Sequence, residues 1–417
     1  MLRVPPLGAL GERQFRRYFV GQATSYLGDG LLPVAISFAV LDLTGSASDL
    51  GLVLAARMVP VVAFLLVGGV WADRLPRHLV MVASDVVRGG AQTVLAVLLL
   101  TGRAELWHLL VLSALYGAAE AFWRPASTGL IPSVVSPGRL QQANALMAMT
   151  VNLAYVVGPA IAGVLVAGAG AGTAIAVDAA TFAVSTVALL GLQVPAVAGR
   201  AGVTSFAAEL REGWGEFVSR TWLWVMVAFF ALFLLVVTAP LMVLGPAVAD
   251  RNLGGAGPWG AIAAAIGIGT IAGSALAARV RPRRPMLVTA FLFAATGLTP
   301  AALALLLPTP AIAAFGFLAG LAEGFMEVIW ITTMQERVPQ AALSRVSAYD
   351  TVGSFVLMPI GFALAGPVAA AAGTRAALLG AAAFAVASAA AAALVPSVRQ
   401  LRRLDEQPRP EALPSLP

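Results

Sequence analysis

Long apolar stretches, separated by short polar or glycine-containing segments, follow one another along the whole chain. Twelve of them approach or exceed the length of about 20 apolar residues that a helix needs to cross a lipid bilayer. They occupy residues 18–41, 49–71, 79–101, 107–130, 143–167, 171–192, 222–248, 257–280, 285–306, 311–333, 346–370 and 374–395. Strands with open edges would leave backbone groups without hydrogen-bond partners in lipid, so all twelve are predicted to be helices. The pattern predicts an all-α membrane protein with 12 transmembrane helices.

The composition favours a membrane protein over a soluble one. Hydrophobic residues make up 59% of the 417 positions and charged residues 11%, and the mean hydropathy is +0.89. A soluble domain is roughly 45–50% apolar, so a water-soluble fold could not bury this much apolar surface. The chain has no cysteine, and its two histidines, His78 and His108, lie far apart. We therefore expect no cofactor and no metal site.

The longest break between apolar stretches, residues 193–221, separates six predicted spans from six. Within it Phe206, Leu210, Trp214 and Phe217 recur at helical spacing, which predicts an amphipathic helix on the membrane surface. The predicted organisation has four parts. They are an N-terminal six-helix bundle (1–192), a cytoplasmic linker (193–221), a C-terminal six-helix bundle (222–395) and a cytoplasmic tail (396–417).

All 26 basic residues are arginines, and they are unevenly distributed. If the N-terminus is cytoplasmic, all but six lie in cytoplasmic segments. The exceptions are three in external segments and three within spans: Arg103, Arg251, Arg375, Arg57, Arg88 and Arg124. Cytoplasmic loops of membrane proteins carry such an excess of positive charge. We therefore expect a multi-pass protein of the bacterial inner membrane with both termini in the cytoplasm, and the net charge of +6 does not imply nucleic-acid binding.

The two halves of the sequence are related to each other. "GAAEAF" at 117–122 aligns with "GLAEGF" at 320–325, and the same spacing pairs Gly158 with Gly361 and Gly163 with Gly366. Each half holds six predicted helices in the same orientation. Parallel repeats of this kind, arranged around a central site, are the architecture of many secondary transporters. The sequence thus predicts two pseudo-symmetric six-helix bundles.

Five ionisable residues in the spans are candidates for proton coupling or substrate binding, because charge inside a bilayer is costly. Asp29 lies near the middle of the first span; the alternative is a hydrogen-bonded residue at a helix bend. Glu120 and Arg124 share a helix face, as a structural ion pair or as part of a site. Glu323 is the repeat counterpart of Glu120, and Glu327 that of Arg124. Two carboxylates on one face cannot both ionise cheaply, so one is expected to hold a proton, unless both are solvated near the inner mouth.

Three further charged positions in the spans have local interpretations. Asp85 and Arg88, three residues apart in the third span, are predicted to form a structural ion pair. Arg57 in the second span has no acidic neighbour at helical spacing, and Asp29 or Asp49 could meet it in the folded chain.

A dense charge cluster interrupts the apolar sequence between the second and third spans. The segment "GGVWADRLPRH", residues 68–78, contains Asp73, Arg74 and Arg77 and is predicted to be a cytoplasmic loop. A charge lock on the inner face, formed in one conformation and broken in another, would be a two-state element. Asp350, one or two turns inside the eleventh span, could face this segment. The alternative is an ordinary loop that only retains the helix ends.

This segment resembles the loop motif of the major facilitator superfamily, G-x-L-A-D-R-x-G-R-K. Gly69, Ala72, Asp73, Arg74 and Arg77 match that pattern. In the family, the loop forms an inner gate against the eleventh helix. The resemblance implies a gate role for Asp73, Arg74 and Arg77, and it implies the major facilitator fold.

A second resemblance lies in the fifth span. "AYVVGPAIAG", residues 154–163, is similar to the antiporter motif g-x-x-x-G-P-x-x-G-G, matched at Gly158, Pro159 and Gly163. The match implies an exporter. Physically, a Gly-Pro pair interrupts regular helix bonding and small residues allow close helix packing, so a kinked, tightly packed helix is the alternative.

Over all twelve spans the chain resembles the drug:proton antiporter branch that contains macrolide-efflux-type and enterobactin-exporter-type proteins. Segments such as "LTGSASDLGL" (43–52) and "RPASTGLIP" (124–132) carry this likeness. It implies a monomeric secondary transporter that exports small amphipathic compounds, drug-like or siderophore-like, by proton antiport and alternating access. The alternatives are a proton-coupled importer and a non-transporting sensor or scaffold. No phosphate-binding G-x-x-x-x-G-K-[ST] motif is present, so ATP drive is not expected. No set of nucleophile, base and metal ligands can be assembled from the sequence, so an enzyme is not expected either.

Overall fold

The computed structural model describes residues 8–194, 206–280 and 282–402, with backbone only for 65–74 and a few further positions. Within those ranges it holds twelve helical segments long and apolar enough to cross a membrane, and no strand. The prediction of an all-α protein with twelve spans is confirmed. The first six spans are single helices: α1 (Arg13–Thr44), α2 (Ala47–Arg74), α3 (Arg77–Leu100), α4 (Leu106–Val134), α5 (Leu140–Ala169) and α6 (Ala171–Leu190).

The second half contains more interrupted spans. After the linker helix α7 (Phe206–Val218), the remaining helices are α8 (Thr221–Phe233), α9 (Ala239–Val248), α10 (Ala256–Ala277), α11 (Pro285–Thr296), α12 (Leu298–Ala304), α13 (Thr309–Arg337), α14 (Gln340–Phe355), α15 (Met358–Ala372), α16 (Thr374–Leu394) and α17 (Pro396–Arg399). Two π-helical turns, Leu234–Thr238 and Ala249–Leu253, lengthen the seventh span on either side of α9. The ninth span joins α11 to α12, and the eleventh joins α14 to α15.

Successive spans alternate in direction, which defines two faces of the molecule. The terminal face carries both ends of the described chain, near Gly8 and Arg402, and the opposite face carries turns such as those at Gly45, Gly170 and Gly373. These three glycines have positive φ, a conformation that glycine adopts without steric cost. The short turns join neighbouring helices tightly, as the sequence predicts.

The loop between the second and third spans is shorter than the predicted loop over residues 68–78. Helix α2 continues to Arg74 and α3 begins at Arg77, so only Leu75 and Pro76 separate the two helices. Proline disfavours a helical conformation of the residue before it and cannot donate a backbone hydrogen bond, which explains why α2 ends here. Asp73 and Arg74 therefore lie in the last turn of a helix.

The linker helix α7 packs on the terminal face, against α14. Phe217 is buried, and its ring lies 6.0 Å from the ring of Tyr349, which Trp214 also approaches at 5.4 Å. Trp214 is half-exposed, so one side of α7 remains open. The prediction of an amphipathic helix agrees with this packing at its C-terminal end; the side chains of Phe206 and Leu210 lie outside the described residues.

The internal repeat appears as matching helix contacts. Gly163 of α5 packs against Gly260 of α10, whereas its counterpart Gly366 of α15 packs against Ser48 of α2. Each contact thus joins one half of the molecule to the other. The two contacts are equivalent under the pseudo-two-fold symmetry that relates the halves. This symmetry supports the relationship that the sequence alignment indicates.

The halves meet mainly towards the opposite face. A Cβ atom on Gly51, near the start of α2, would overlap the carbonyl oxygen of Phe362 in α15. The guanidinium of Arg251 donates a hydrogen bond of 2.9 Å to the carbonyl oxygen of Gly45. By contrast, Met149 in the terminal half of α5 is 68% exposed. In the described part of the chain, these contacts close the opposite face between the two halves.

Candidate functional site

Most of the membrane-embedded charges of the first half form one cluster. Helices α1, α2, α3, α4 and α6 each contribute to it. We call this set the N-half cluster; its ionisable members are Asp29, Arg57, Asp85, Arg88, Glu120, Arg124 and Asp178.

Glu120 lies between two arginines. Its Oε2 accepts hydrogen bonds from Arg57 Nη2 at 2.9 Å and Nε at 3.2 Å, and its Oε1 accepts a bond from Arg124 Nη2 at 2.7 Å. The predicted pairing of Glu120 with Arg124 is confirmed. The sequence offered Asp29 and Asp49 as partners that Arg57 could meet, but its hydrogen-bonded partner is Glu120. The reason is that α2 and α4 pack closely there, so that Arg57 projects onto the α4 face that carries Glu120.

Arg88 is the buried centre of the cluster, with a side chain 1% exposed. Its Nη2 lies 2.5 Å from Asp85 Oδ1, which confirms the predicted local pair, and its Nη1 lies 3.6 Å from Asp29 Oδ2. Its Cζ atom lies 4.5 Å from the ring centre of Phe182 and 4.8 Å from that of Trp123. Carboxylates and aromatic faces together stabilise a guanidinium that cannot lose its proton.

Asp29 connects this buried pair to the Glu120 group through Tyr116. The Tyr116 hydroxyl donates a hydrogen bond to Asp29 Oδ1, and the Cζ atom of Arg57 lies 4.6 Å from the centre of the Tyr116 ring. The Asp29 side chain is 23% exposed, whereas that of Asp85 is fully buried. Tyr116 could not be identified from the sequence, because a neutral aromatic residue in an apolar span has no distinguishing pattern.

Asp178 extends the cluster into α6. It is fully buried, and its Oδ2 accepts a hydrogen bond of 2.6 Å from Gln92 of α3. Its other oxygen, Oδ1, has no hydrogen-bond partner among the described residues and lies beside Gly28 of α1. Gln92 is a second member that the sequence did not reveal, for the same reason as Tyr116.

The N-half cluster contains one more acid than base. Three guanidiniums, all permanently charged, face four carboxyl groups. The carboxyl groups belong to Asp29, Asp85, Glu120 and Asp178. If all four were ionised, the cluster would carry one uncompensated negative charge inside the membrane, which is costly. No grouping of side chains suited to a metal ion occurs in the described ranges.

The second half presents its acids differently. Glu323 is partly exposed and Glu327 is exposed, and no ion pair involves either one in the described part of the chain. The carbonyl oxygen of Ile266 packs on Gly320 as that of Arg57 packs on Gly117. Ile266 therefore occupies the position that corresponds to Arg57, and the guanidinium partner is missing.

The structure describes the side chains of only some residues of the predicted inner gate. Gly69, Asp73 and Arg74 belong to a stretch whose side chains lie outside the described residues, so their role stays a prediction. Arg77 Nη1 donates a hydrogen bond of 2.5 Å to the carbonyl oxygen of Gly129, which attaches the start of α3 to α4.

Asp350, the predicted gate residue of the eleventh span, is bonded within its own half. Its Oδ2 accepts a hydrogen bond of 3.1 Å from the indole of Trp330, and Ser354 Oγ lies 3.5 Å from its Oδ1. The Trp330 ring packs edge-on against that of Trp222, with ring centres 5.8 Å apart. Whether Asp350 meets the α2–α3 segment in another conformation stays a prediction.

The antiporter-like motif makes two close helix contacts. Gly158 packs against Gly30 of α1, within the first half. The carbonyl oxygen of the next residue, Pro159, and the backbone of Gly163 pack against Gly260 of α10, in the second half. The small residues thus let α5 approach a helix on each side.

Comparisons with known proteins agree with this architecture. The Major Facilitator Superfamily model matches residues 18–356. The multidrug efflux pump Tap of Mycobacterium tuberculosis H37Rv is 30% identical over 390 residues, which cover 90% of this chain and 91% of the pump. The macrolide efflux protein A of Streptococcus pyogenes is 24% identical over 202 residues, 48% of this chain and 50% of that protein.

Solved structures show the same fold at low sequence identity. The nucleoside transporter NupG superposes with a TM-score of 0.72 at 14% identity, over 91% of this chain and 98% of that one. A bacterial homologue of the iron transporter ferroportin, in its inward-facing state, gives a TM-score of 0.68 at 17% identity, over 92% of this chain and 99% of that one.

Proposed function

Because the chain belongs to the major facilitator superfamily, a family of membrane transporters and not of enzymes, we propose that it exports small amphipathic organic compounds in exchange for protons. Organic cations are the substrate class that its acidic residues suit best. The multidrug and macrolide efflux proteins that it resembles support export of drug-like compounds.

The observation that carries the proposal is the unequal charge of the N-half cluster. One proton, or one cationic group of a substrate, balances the fourth carboxylate, and either brings the cluster to neutrality. Two ligands that neutralise the same charge compete with each other. Competition of this kind couples the outward movement of a cation to the inward movement of a proton.

Asp29 is the carboxylate through which the exchange takes place. It is the acid of the cluster whose side chain is most exposed, at 23%, compared with 11% for Glu120. Glu120 is held by two arginines at hydrogen-bond distance, whereas Arg88 lies 3.6 Å from Asp29. A proton arriving at Asp29 Oδ2 therefore displaces one long ion-pair contact and not two short ones, while Oδ1 keeps the hydrogen bond from Tyr116.

Alternating access follows from the way in which the two halves meet. Contacts such as Gly51 with Phe362 and Arg251 with Gly45 hold the opposite face closed. With both termini in the cytoplasm, as the arginine distribution indicates, a protein that is closed at the opposite face would open inwards and receive substrate from the cytoplasm. Rocking of the two bundles 1–192 and 222–395, joined by the 193–221 linker, would open the other face.

Transport by the purified protein in lipid vesicles tests this proposal. Vesicles that are acidic inside should accumulate ethidium, because outward proton movement would drive the cation inwards. Ethidium carries a permanent charge, so trapping of a weak base by the pH gradient cannot imitate transport. Potassium and valinomycin hold the membrane potential at zero. An importer that carries substrate and proton together would need the opposite gradient, and a sensor or scaffold would show no transport.

Asp29→Asn separates coupling from binding. The variant should lose gradient-driven accumulation but keep ethidium exchange across vesicles without a gradient. Asp42→Asn is the matched control, because Asp42 is an exposed acid at the far end of the same helix, and it should behave as the unmodified protein does. Full gradient-driven accumulation by Asp29→Asn would overturn the role of Asp29, and accumulation that is independent of the gradient in the unmodified protein would overturn antiport.

A further inference from the structure

An open cleft of about 560 Å³ lies at the terminal face of the second half. It is lined by Arg283 and Arg284, which precede α11, by Val288 in the first turns of α11, and by Arg402 beyond α17. The cleft therefore joins the ends of the ninth and twelfth spans. It is remote from the N-half cluster and takes no part in the transport mechanism described above.

The charged residues that line this cleft in the described part of the chain are all arginines. Residues 251–322 contain no Asp or Glu, while Arg279, Arg281, Arg283 and Arg284 follow one another between the eighth and ninth spans. Arg284 is also the N-cap of α11, where unpaired backbone N–H groups and the helix dipole favour a negatively charged ligand. Three arginines around one cleft are suited to bind the negatively charged, non-bridging oxygens of a phosphate group.

The apolar surroundings indicate which phosphate compound fits. Val288 is followed one helical turn later by Phe291, which is 59% exposed and lies on the same side of α11. This apolar side continues from the cleft into the membrane-spanning part of the helix, since the ninth span begins at Pro285. A free phosphate ion would use only the arginines, whereas a phospholipid would use the arginines and the apolar side together.

We propose that this cleft binds the headgroup of an anionic phospholipid, with an acyl chain along Val288 and Phe291. Basic pockets at the ends of transmembrane helices bind such headgroups in other membrane proteins. Arg284 and Arg402, which come from separate spans, would hold one phosphodiester between them. A bound lipid would thus connect the ninth and twelfth spans at the terminal face.

Native mass spectrometry of the full chain, released from nanodiscs, tests the proposal. In nanodiscs with equal amounts of phosphatidylglycerol and phosphatidylcholine of the same acyl chains, the protein should retain phosphatidylglycerol preferentially. Each arginine near a membrane surface contributes about fivefold to anionic lipid binding. Arg284→Gln and Arg402→Gln should each lower the preference by about that factor, and the double variant by about twenty-five-fold.

Arg103→Gln with Arg375→Gln is the matched control, because both residues are exposed at the opposite face. That pair should leave the preference unchanged. Inorganic phosphate at millimolar concentration should not displace the lipid; displacement would assign the cleft to free phosphate and overturn the proposal. An equal loss in the control pair, or no loss in either single variant, would also overturn it. The single variants keep the test decisive if the double variant does not fold.

Discussion

Glu120 in the first half accepts hydrogen bonds from two arginines, whereas Glu323, its counterpart in the second half, has no arginine partner among the described residues. The helices that carry the two acids pack alike: Gly117 lies against the carbonyl of Arg57, and Gly320 against that of Ile266. The difference lies in the side chains, and not in the backbone arrangement.

This difference indicates that the acids of the two halves have different roles in transport. An acid held by two guanidiniums is fixed in position and costly to separate from them, because removing one partner leaves a buried charge. An acid without a partner is available to a proton or to a cationic ligand. We therefore expect Glu323 and Glu327 to attract the positive charge of the substrate, and Asp29 of the N-half cluster to be the carboxylate at which that charge and the proton then compete.

Removal of Arg88 should have the largest effect. Arg88→Leu would leave Asp85, which is fully buried, without its guanidinium, and would also release Asp29. Loss of one member of a buried ion pair costs about 3–5 kcal/mol, so the free energy of unfolding should fall by about that amount and transport should be lost. Reversible unfolding in mixed detergent micelles measures the change.

A second substitution distinguishes charge from packing at this position. Combining Arg88→Leu with Asp85→Asn removes both members of the pair and should restore part of the lost stability, because no unpaired buried charge is left between them. If the double variant is as unstable as Arg88→Leu alone, packing of the Arg88 side chain and not its charge holds the cluster together.

The second test gives the second half the arginine that it lacks. Ile266→Arg should place a guanidinium beside Glu323, as Arg57 lies beside Glu120 in the first half. Neutralising that carboxylate should lower ethidium transport in vesicles by about tenfold, which corresponds to about 1.4 kcal/mol of cation binding. Ile266→Met is the control for side-chain size. Equal loss in the two variants would show that Glu323 does not recognise the cation.

The comparison also shows what the sequence could predict. Twelve spans follow from the length of the apolar stretches, and the pairs Glu120–Arg124 and Asp85–Arg88 follow from spacing along one helix. The bond between Arg57 and Glu120 joins residues 63 positions apart on different helices, and no local pattern specifies it. The family resemblance, confirmed by the profile match, came from motifs and not from these contacts.

The uncharged residues that bond to the acids of the N-half cluster could not be predicted from the sequence. Tyr116 and Gln92 each bond to an acid of the N-half cluster, yet neither differs from other residues of an apolar span until the helices are packed. The predicted end of α2 is wrong, because the charges of Asp73 and Arg74 indicate a loop, whereas Pro76 sets the helix boundary. Charge alone does not end a helix at a membrane surface.

The smallest effects should come from Arg124 and Glu327. These two residues are counterparts in the two halves and carry opposite charges. The Arg124 side chain is 57% exposed and Glu120 keeps Arg57, so Arg124→Gln should lower the free energy of unfolding by about 0.5 kcal/mol. Glu327→Arg should raise it by a similar amount, because it replaces a like-charge neighbour of Glu323 with a partner one helical turn away. The same unfolding measurement serves both variants. A change above about 2 kcal/mol in either would mean that these exposed residues are part of the buried network, and the division between a fixed first half and an available second half would then fail.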